Sequence, residues 1–239
     1  MIKYICFIFL WILFNPSFAQ ITSVKGSGYI LTQERKTNLF NNIEVSSHIS
    51  VYLVQGPFNS ITVEADNNLF PYIITEVKNK TLHVYVPDSI LIVKFSSMNI
   101  LISLPEIQSL TARQHSLINA SPQLWKIDKI NLFASSGSKI HLATEAYNIK
   151  ISAKTTAMIE LKGTTQQLEA TLNSASKLFA RNLKVQTASI YLNNSSKAEI
   201  NVFQNLKYNV KGNSKLLYKG DPQITTNQLK INSKVIHKK

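Results

Sequence analysis

The chain is short of the residues that most chemistry needs. Its single cysteine, Cys6, lies inside an N-terminal apolar run, too early for a lipid-attachment cysteine at a cleavage site. Once that run is removed no disulfide can form, and an exported protein of this kind must be held by its core and its strand ladders. Charged residues make up only 16%; Asn, Ser and Thr supply much of the polar surface, which suits β-structure and its corners. No G-x-S-x-G elbow, H-E-x-x-H helix or Gly-rich phosphate loop is present. The histidines His48, His83, His115, His141 and His237 have no metal-ligand spacing, which argues against a zinc site, and no cofactor is implied. No basic motif interleaved with aromatics marks nucleic-acid binding.

The first 19 residues have the three parts of a secretory signal. Lys3 is the positive start, Tyr4 to Phe14 is the apolar run, and Ser17-Phe18-Ala19 is a small-x-small cleavage site before Gln20. The run falls short of the roughly 20 residues of a membrane span, and no apolar stretch of that length follows. The expectation is therefore an exported chain with no transmembrane segment after cleavage, ending in the periplasm, at the outer membrane or outside the cell. Removing Lys3 from 26 basic residues leaves 25 against 13 acidic ones, a formal charge of +12. Such a balance points to acidic glycans or other anionic envelope components as partners.

What the sequence has in quantity is a repeat. Ser116, Ser138, Ala157, Ser176, Ser196 and Ser214 recur at spacings of 22, 19, 19, 20 and 18. Two residues after each come Ile118, Ile140, Ile159, Leu178, Ala198 and Leu216; four after come Ala120, Leu142, Leu161, Ala180, Ile200 and Tyr218. Four before lie Ala112, Ala134, Ala153, Leu172, Leu192 and Val210, and six before lie Leu110, Leu132, Ile151, Ala170, Ile190 and Tyr208. Every column is apolar. A period of about 20 residues, strand, corner, strand, is the signature of a solenoid in which like positions of successive coils lie above one another. No coil buries its apolar face alone, and the stack does. The serine corners are read as structural, since Ser, Asn and Gly tolerate tight bends and can hydrogen-bond between coils.

Residues 20–39 read as a lead-in with one strand near Tyr29–Thr32, and residues 40–239 as a single solenoid domain with an irregular N-terminal portion. Strands are expected at Ile43–Val45, Ile49–Val54, Ile61–Ala65, Leu82–Val86, Ile90–Phe95 and Met98–Leu104, with a short helical turn near Asn67 or Asn68. The repeat proper should run to about Tyr218, with Gly220-Asp221-Pro222 as a turn and Leu229–Ile236 as a closing strand.

The segments F-N-N-I-E-V-S-S-H-I-S-V-Y-L-V-Q-G (Phe40–Gly56), I-T-V-E-A-D-N-N-L (Ile61–Leu69), I-L-I-S-L-P-E-I-Q-S-L-T-A and V-K-G-N-S-K-L-L-Y-K-G-D-P resemble the bacterial "head GIN" domain family of auto-transporter adhesins, over roughly Phe40 to Ile236. The resemblance implies a right-handed parallel β-helix in an exported bacterial protein and carries no catalytic residues. The sequence departs from the family at Gln114-His115-Ser116, where a Gly-Ser-Gly corner is common.

The residue after each corner is Leu117, Lys139, Met158, Lys177, Lys197 or Lys215. Stacking would place Lys177, Lys197 and Lys215 on successive coils about 4.8 Å apart, where adjacent ammonium groups in water repel by roughly 1 kcal/mol. Lys139, Lys177, Lys197 and Lys215 are thus the candidate ligand-binding residues, for an anionic polymer. The plainer interpretation is a solvated face that Glu160 and Glu199 partly neutralise. β-Helical folds also carry polysaccharide-degrading enzymes, which is the alternative function. Such chemistry needs converging carboxylates, and those of the repeat are scattered. The nearest pair, Glu64 and Asp66, shares a strand face, with Asp66 placed to cap the turn at Asn67. The expectation is an exported, non-enzymatic adhesin or envelope scaffold.

Overall fold

Period-two alternation gives strands, and strands fill the molecule. The computed structural model describes residues 21–230 and 232–238; the expected signal segment, with Cys6, lies outside the described residues. The strands are β1 (Thr22–Lys25), β2 (Ile30–Arg35), β3 (Asn42–Val45), β4 (Ser50–Gln55), β5 (Ser60–Asp66), β6 (Ile74–Lys78), β7 (Thr81–Tyr85), β8 (Ile90–Lys94) and β9 (Met98–Leu104). They continue with β10 (Ser109–Ala112), β11 (Leu117–Ser135), β12 (Lys139–Lys154), β13 (Met158–Leu172), β14 (Lys177–Leu192), β15 (Lys197–Val210), β16 (Lys215–Lys219), β17 (Gln223–Leu229) and β18 (Lys234–His237). Among the described residues one 3-10 turn, Asn67–Leu69, interrupts them where the Asn pair predicts it.

The apolar columns are rungs of one parallel stack. Ile118 pairs with Ile140, Ile140 with Ile159, Ile159 with Leu178, Leu178 with Ala198 and Ala198 with Leu216. On the other side of the corner, Ala112, Ala134, Ala153, Leu172, Leu192 and Val210 stack in the same way. These residues are buried and belong to one core cluster. Removing a Leu or Ile side chain from water contributes about 1.5–3 kcal/mol, and each does so only because the coils above and below cover it.

Each corner turns through two consecutive left-handed residues: Gln114 and His115, Ser136 and Gly137, Thr155 and Thr156, Ser174 and Ala175, Asn194 and Ser195, Gly212 and Asn213. That backbone is the type I′ turn. The repeating serines sit just past the bend and point inward. The hydroxyls of Ser116, Ser138 and Ser176 donate to the carbonyls of Val45, Ala112 and Ala153 on the adjacent coil, at 3.0, 2.7 and 3.0 Å. They accept the amides of Arg113, Ser135 and Asn173. Asn194 donates to the side chain of Asn173 outside the bend. The serines therefore join coils, as their recurrence suggests.

The N-terminal portion is irregular in order as well as in rhythm. Ile43, Val45 and Val51 continue the apolar columns, but their coil lies between β7/β9 on one side and β10/β11 on the other. Antiparallel β5 on β9, β2 on β5 and β6 on β7 then cover that end, the capping that a solenoid needs. Asp66 does not cap the 3-10 turn with its side chain. It is fully buried and accepts the amides of Gly28, Ser96 and Ser97, pinning the lead-in to the loop before β9. Glu64, beside it, accepts from Ser97 and Asn99. The segment Leu229–Ile236 is the end of β17, a bend at Asn232, and β18, not one strand. The repeat thus runs one coil past Tyr218, with Ser233 in the serine column accepting the Ser214 amide.

Unequal spacing appears as bulges. The coil of 22 residues carries its surplus between Ala120 and Leu124, where the register with β12 jumps. The coil of 20 does so at Arg181–Leu183. There β14 slips by one residue against β13, and these three residues have no rung on β15.

Candidate ligand-binding face

The strand segments that follow each corner form one flat face. Pairing places Lys139, Met158, Lys177, Lys197, Lys215 and Lys234 in a single file. The ladder read from the sequence exists with Lys139, Lys177, Lys197 and Lys215 all in it. Met158 interrupts it after Lys139, and Lys234, beyond the end of the repeat as read, extends it.

Side chains two residues further on share the same face. That middle file is His141, Glu160, Phe179, Glu199, Leu217 and Ile236. It is less open than its outward direction suggests, because Glu199 and Leu217 are buried. Beyond it come Lys162, whose rung partner is Asn182, and Arg181, Lys219 and Lys238, which line one cleft, so further cations lie across a middle file that is half apolar and half polar. Of the two sets of cations, the lysine file is the one the sequence shows as a column. The other is present as the basic residue four places after Met158, Lys177, Lys215 and Lys234.

Glu199 joins the lysine file to Arg181. Its Oε1 lies 2.5 Å from the Lys197 ammonium and its Oε2 2.7 Å from Arg181 Nε, with only 6% of its side chain exposed. Burial pushes the Glu199 carboxyl up, but the hydrogen bond and charge of Lys197, with Arg181 and Lys238, outweigh burial and hold it below its ordinary value. Glu160 turns to Lys162 at 3.8 Å, so of the two neutralising carboxylates expected, Glu199 alone engages the ladder. Lys197 also lies over the Phe179 ring, 5.8 Å from its centroid. A cleft of about 590 Å³ opens at the bulge, lined by Glu160, Leu161, Phe179, Arg181, Asn182, Lys219 and Lys238.

The family model described as "Putative auto-transporter adhesin, head GIN domain" matches residues 39–222. The chain belongs to this family. Solved structures share the fold of this family member. A "putative adhesin" from Bacteroides fragilis NCTC 9343 superposes with TM-score 0.81 at 17% identity, covering 90% of this chain and 97% of that one. One of the same name from Parabacteroides merdae ATCC 43184 gives 0.75 at 17%, over 91% and 99%. A "putative lipid binding protein" from Parabacteroides distasonis ATCC 8503 gives 0.68 at 18%, over 91% and 100%. No curated protein matches the sequence. At these identities the likeness concerns the fold, and the parallel stack of this head GIN member agrees with it.

At the other end of the same face the character changes. Tyr52, Val54 and Leu101 are exposed on adjacent strands. Near the capping strands, His48 and His115 stack at 5.1 Å beside a groove formed with β8. Neither feature was picked out in the sequence.

Proposed function

We propose that the chain is an exported, non-enzymatic adhesin or envelope scaffold whose basic face binds acidic glycans. The observation that carries this reading is the file of Lys177, Lys197, Lys215 and Lys234 on successive rungs, with Arg181, Lys219 and Lys238 gathered beyond it around one cleft. A polymer with regularly spaced anions gains from every rung it crosses, and the half-buried Phe179 and Ile236 of the middle file offer apolar contact to the C–H faces of sugar rings. The adhesin family and the signal-like first 19 residues support export to a place where such polymers occur. Binding needs no catalytic group. The test is a glycan array with residues 20–239 at low and high salt. Acidic glycans should be retained at low salt and released at high salt; retention of neutral glycans alone would overturn the reading.

A further inference from the structure

We infer that the bulge cleft lined by Arg181, Lys219 and Lys238 is a subsite for one carboxylate-bearing sugar, in which the Arg181 guanidinium reads the carboxylate and Phe179 supports the ring; this rests on the acidic-glycan reading and adds a position and a chemistry to it.

The cleft originates in chain length. The coil from Ser176 to Ser196 has one residue more than the two coils before it, and the next, from Ser196 to Ser214, has one fewer. The surplus lifts Arg181 out of the ladder, with no rung on β13 or β15, whereas Asn182 and Leu183 keep rungs on β13 alone. The shorter coil leaves the neighbouring space unfilled. A bulge re-aims side chains in this way, and bulges recur next to functional sites. Here it turns a flat sheet into a concavity of about 590 Å³, enough room for a sugar unit.

The polar groups at its rim are arranged for an anion. Glu199, nearly buried, ion-pairs with Arg181 through Nε, and Arg181 lines the cleft. A planar fork held in place suits a carboxylate in bidentate fashion, which a lysine cannot reproduce. Lys219 and Lys238 add positive charge from the next coils, and Asn182 adds an amide. Against them stands Glu160, which faces Lys162. Phe179, half-buried, forms the apolar side of the cleft. The ladder lysines other than Lys197, which Glu199 holds, are by contrast flexible point charges that any polyanion satisfies. The ladder therefore supplies affinity for charge, and the cleft supplies preference for the kind of anion.

The test uses galacturonate tetrasaccharide, its methyl-esterified neutral counterpart and a sulfated tetrasaccharide of equal charge, by calorimetry on residues 20–239. The parent should prefer the galacturonate over the ester and over the sulfated oligomer. Arg181→Lys keeps the charge and should lose roughly tenfold for galacturonate while changing the sulfated oligomer little. Lys219→Gln, which leaves Glu199 its partners, should weaken the galacturonate several-fold. Circular dichroism of both variants should match the parent. Equal losses for both oligomers in Arg181→Lys would reduce the cleft to part of a general basic surface and overturn the inference. So would unchanged galacturonate binding, or stronger binding of the sulfated oligomer by the parent. If acidic polymers are still retained in those cases, the wider reading stands; if none is retained, that reading has failed as well.

Discussion

Ile140 sits at the centre of the stack, fully buried between Ile118 and Ile159. Replacing it with Asp perturbs the packing and introduces a charge. Truncation to this size costs about 2–4 kcal/mol in a packed core. The carboxyl must then either stay ionised in an apolar interior or take up a proton. At pH 7, protonating an acid of ordinary pKa about 3.9 costs about 4 kcal/mol, and staying ionised in a dry core costs at least as much. The total, about 6 kcal/mol or more, approaches the whole stability of a typical domain. Burial raises the folded-state pKa, so this second penalty is absent below about pH 4 and grows as pH rises from there toward the folded value. An Ile140→Asn variant carries the packing loss without the titration. Trp125, the one tryptophan after residue 19 and fully buried, reports urea unfolding by fluorescence. Ile140→Asp should match Ile140→Asn near pH 4 and fall well below it at pH 7. A difference that does not change with pH, or an Asp variant within about 1 kcal/mol of the parent, would refute the assignment of this column to the core.

Other outcomes follow from the same geometry. Gly163 has φ +111° and a Cβ there would lie 2.0 Å from the Thr144 carbonyl oxygen, so Gly163→Ala should cost about 3 kcal/mol or more in chemical denaturation. Thr155 and Thr156 are β-branched at φ 54° and 60°, so replacing them with Asn-Gly should raise stability by about 1 kcal/mol and the melting temperature with it. Burial pushes the Asp66 carboxyl up, but the backbone amides of Ser96, Ser97 and Gly28 outweigh burial and hold it below its ordinary value. Its stabilisation is therefore complete above about pH 4–5 and lost as pH falls through the folded value. Asp66→Asn should cost about 2–3 kcal/mol at neutral pH and little at pH 2, measured by urea titrations at both.

The stack was legible in the sequence because two periods coincide there: alternation along each strand and a coil of about 19 residues between strands. Where the second period breaks, so does legibility. Ile43, Val45 and Val51 fit the columns, but the insertion that carries β8 separates Val84 from Ile100, and nothing local announces that the earlier coil lies inside the later one. Antiparallel capping by β2, β5 and β6 depends on long-range pairing, which alternation alone does not specify. At the face, the lysine file was legible as a column, whereas the role of Glu199 was not. Its outward position follows from alternation, and its burial follows from Arg181, which only the bulge brings across. The spacings of 20 and 18 were the available signal for that bulge, since a coil with a surplus residue beside one with a deficit must slip in register.

The central claim, that the basic face and not the net charge binds acidic glycans, is tested most directly by comparing two triple variants. In one, Lys177, Lys215 and Lys234 become Gln, sparing Lys197 because it neutralises Glu199. In the other, Lys36, Lys80 and Lys129, which lie off the face, become Gln. Both lower the charge equally and should leave the circular dichroism unchanged. Binding to polygalacturonate across a series of salt concentrations should fall steeply with salt for the parent. The face variant should lose most of its affinity and much of that slope, while the off-face variant keeps both. Equal losses in the two would contradict the account and leave the lysine file as a solvated surface.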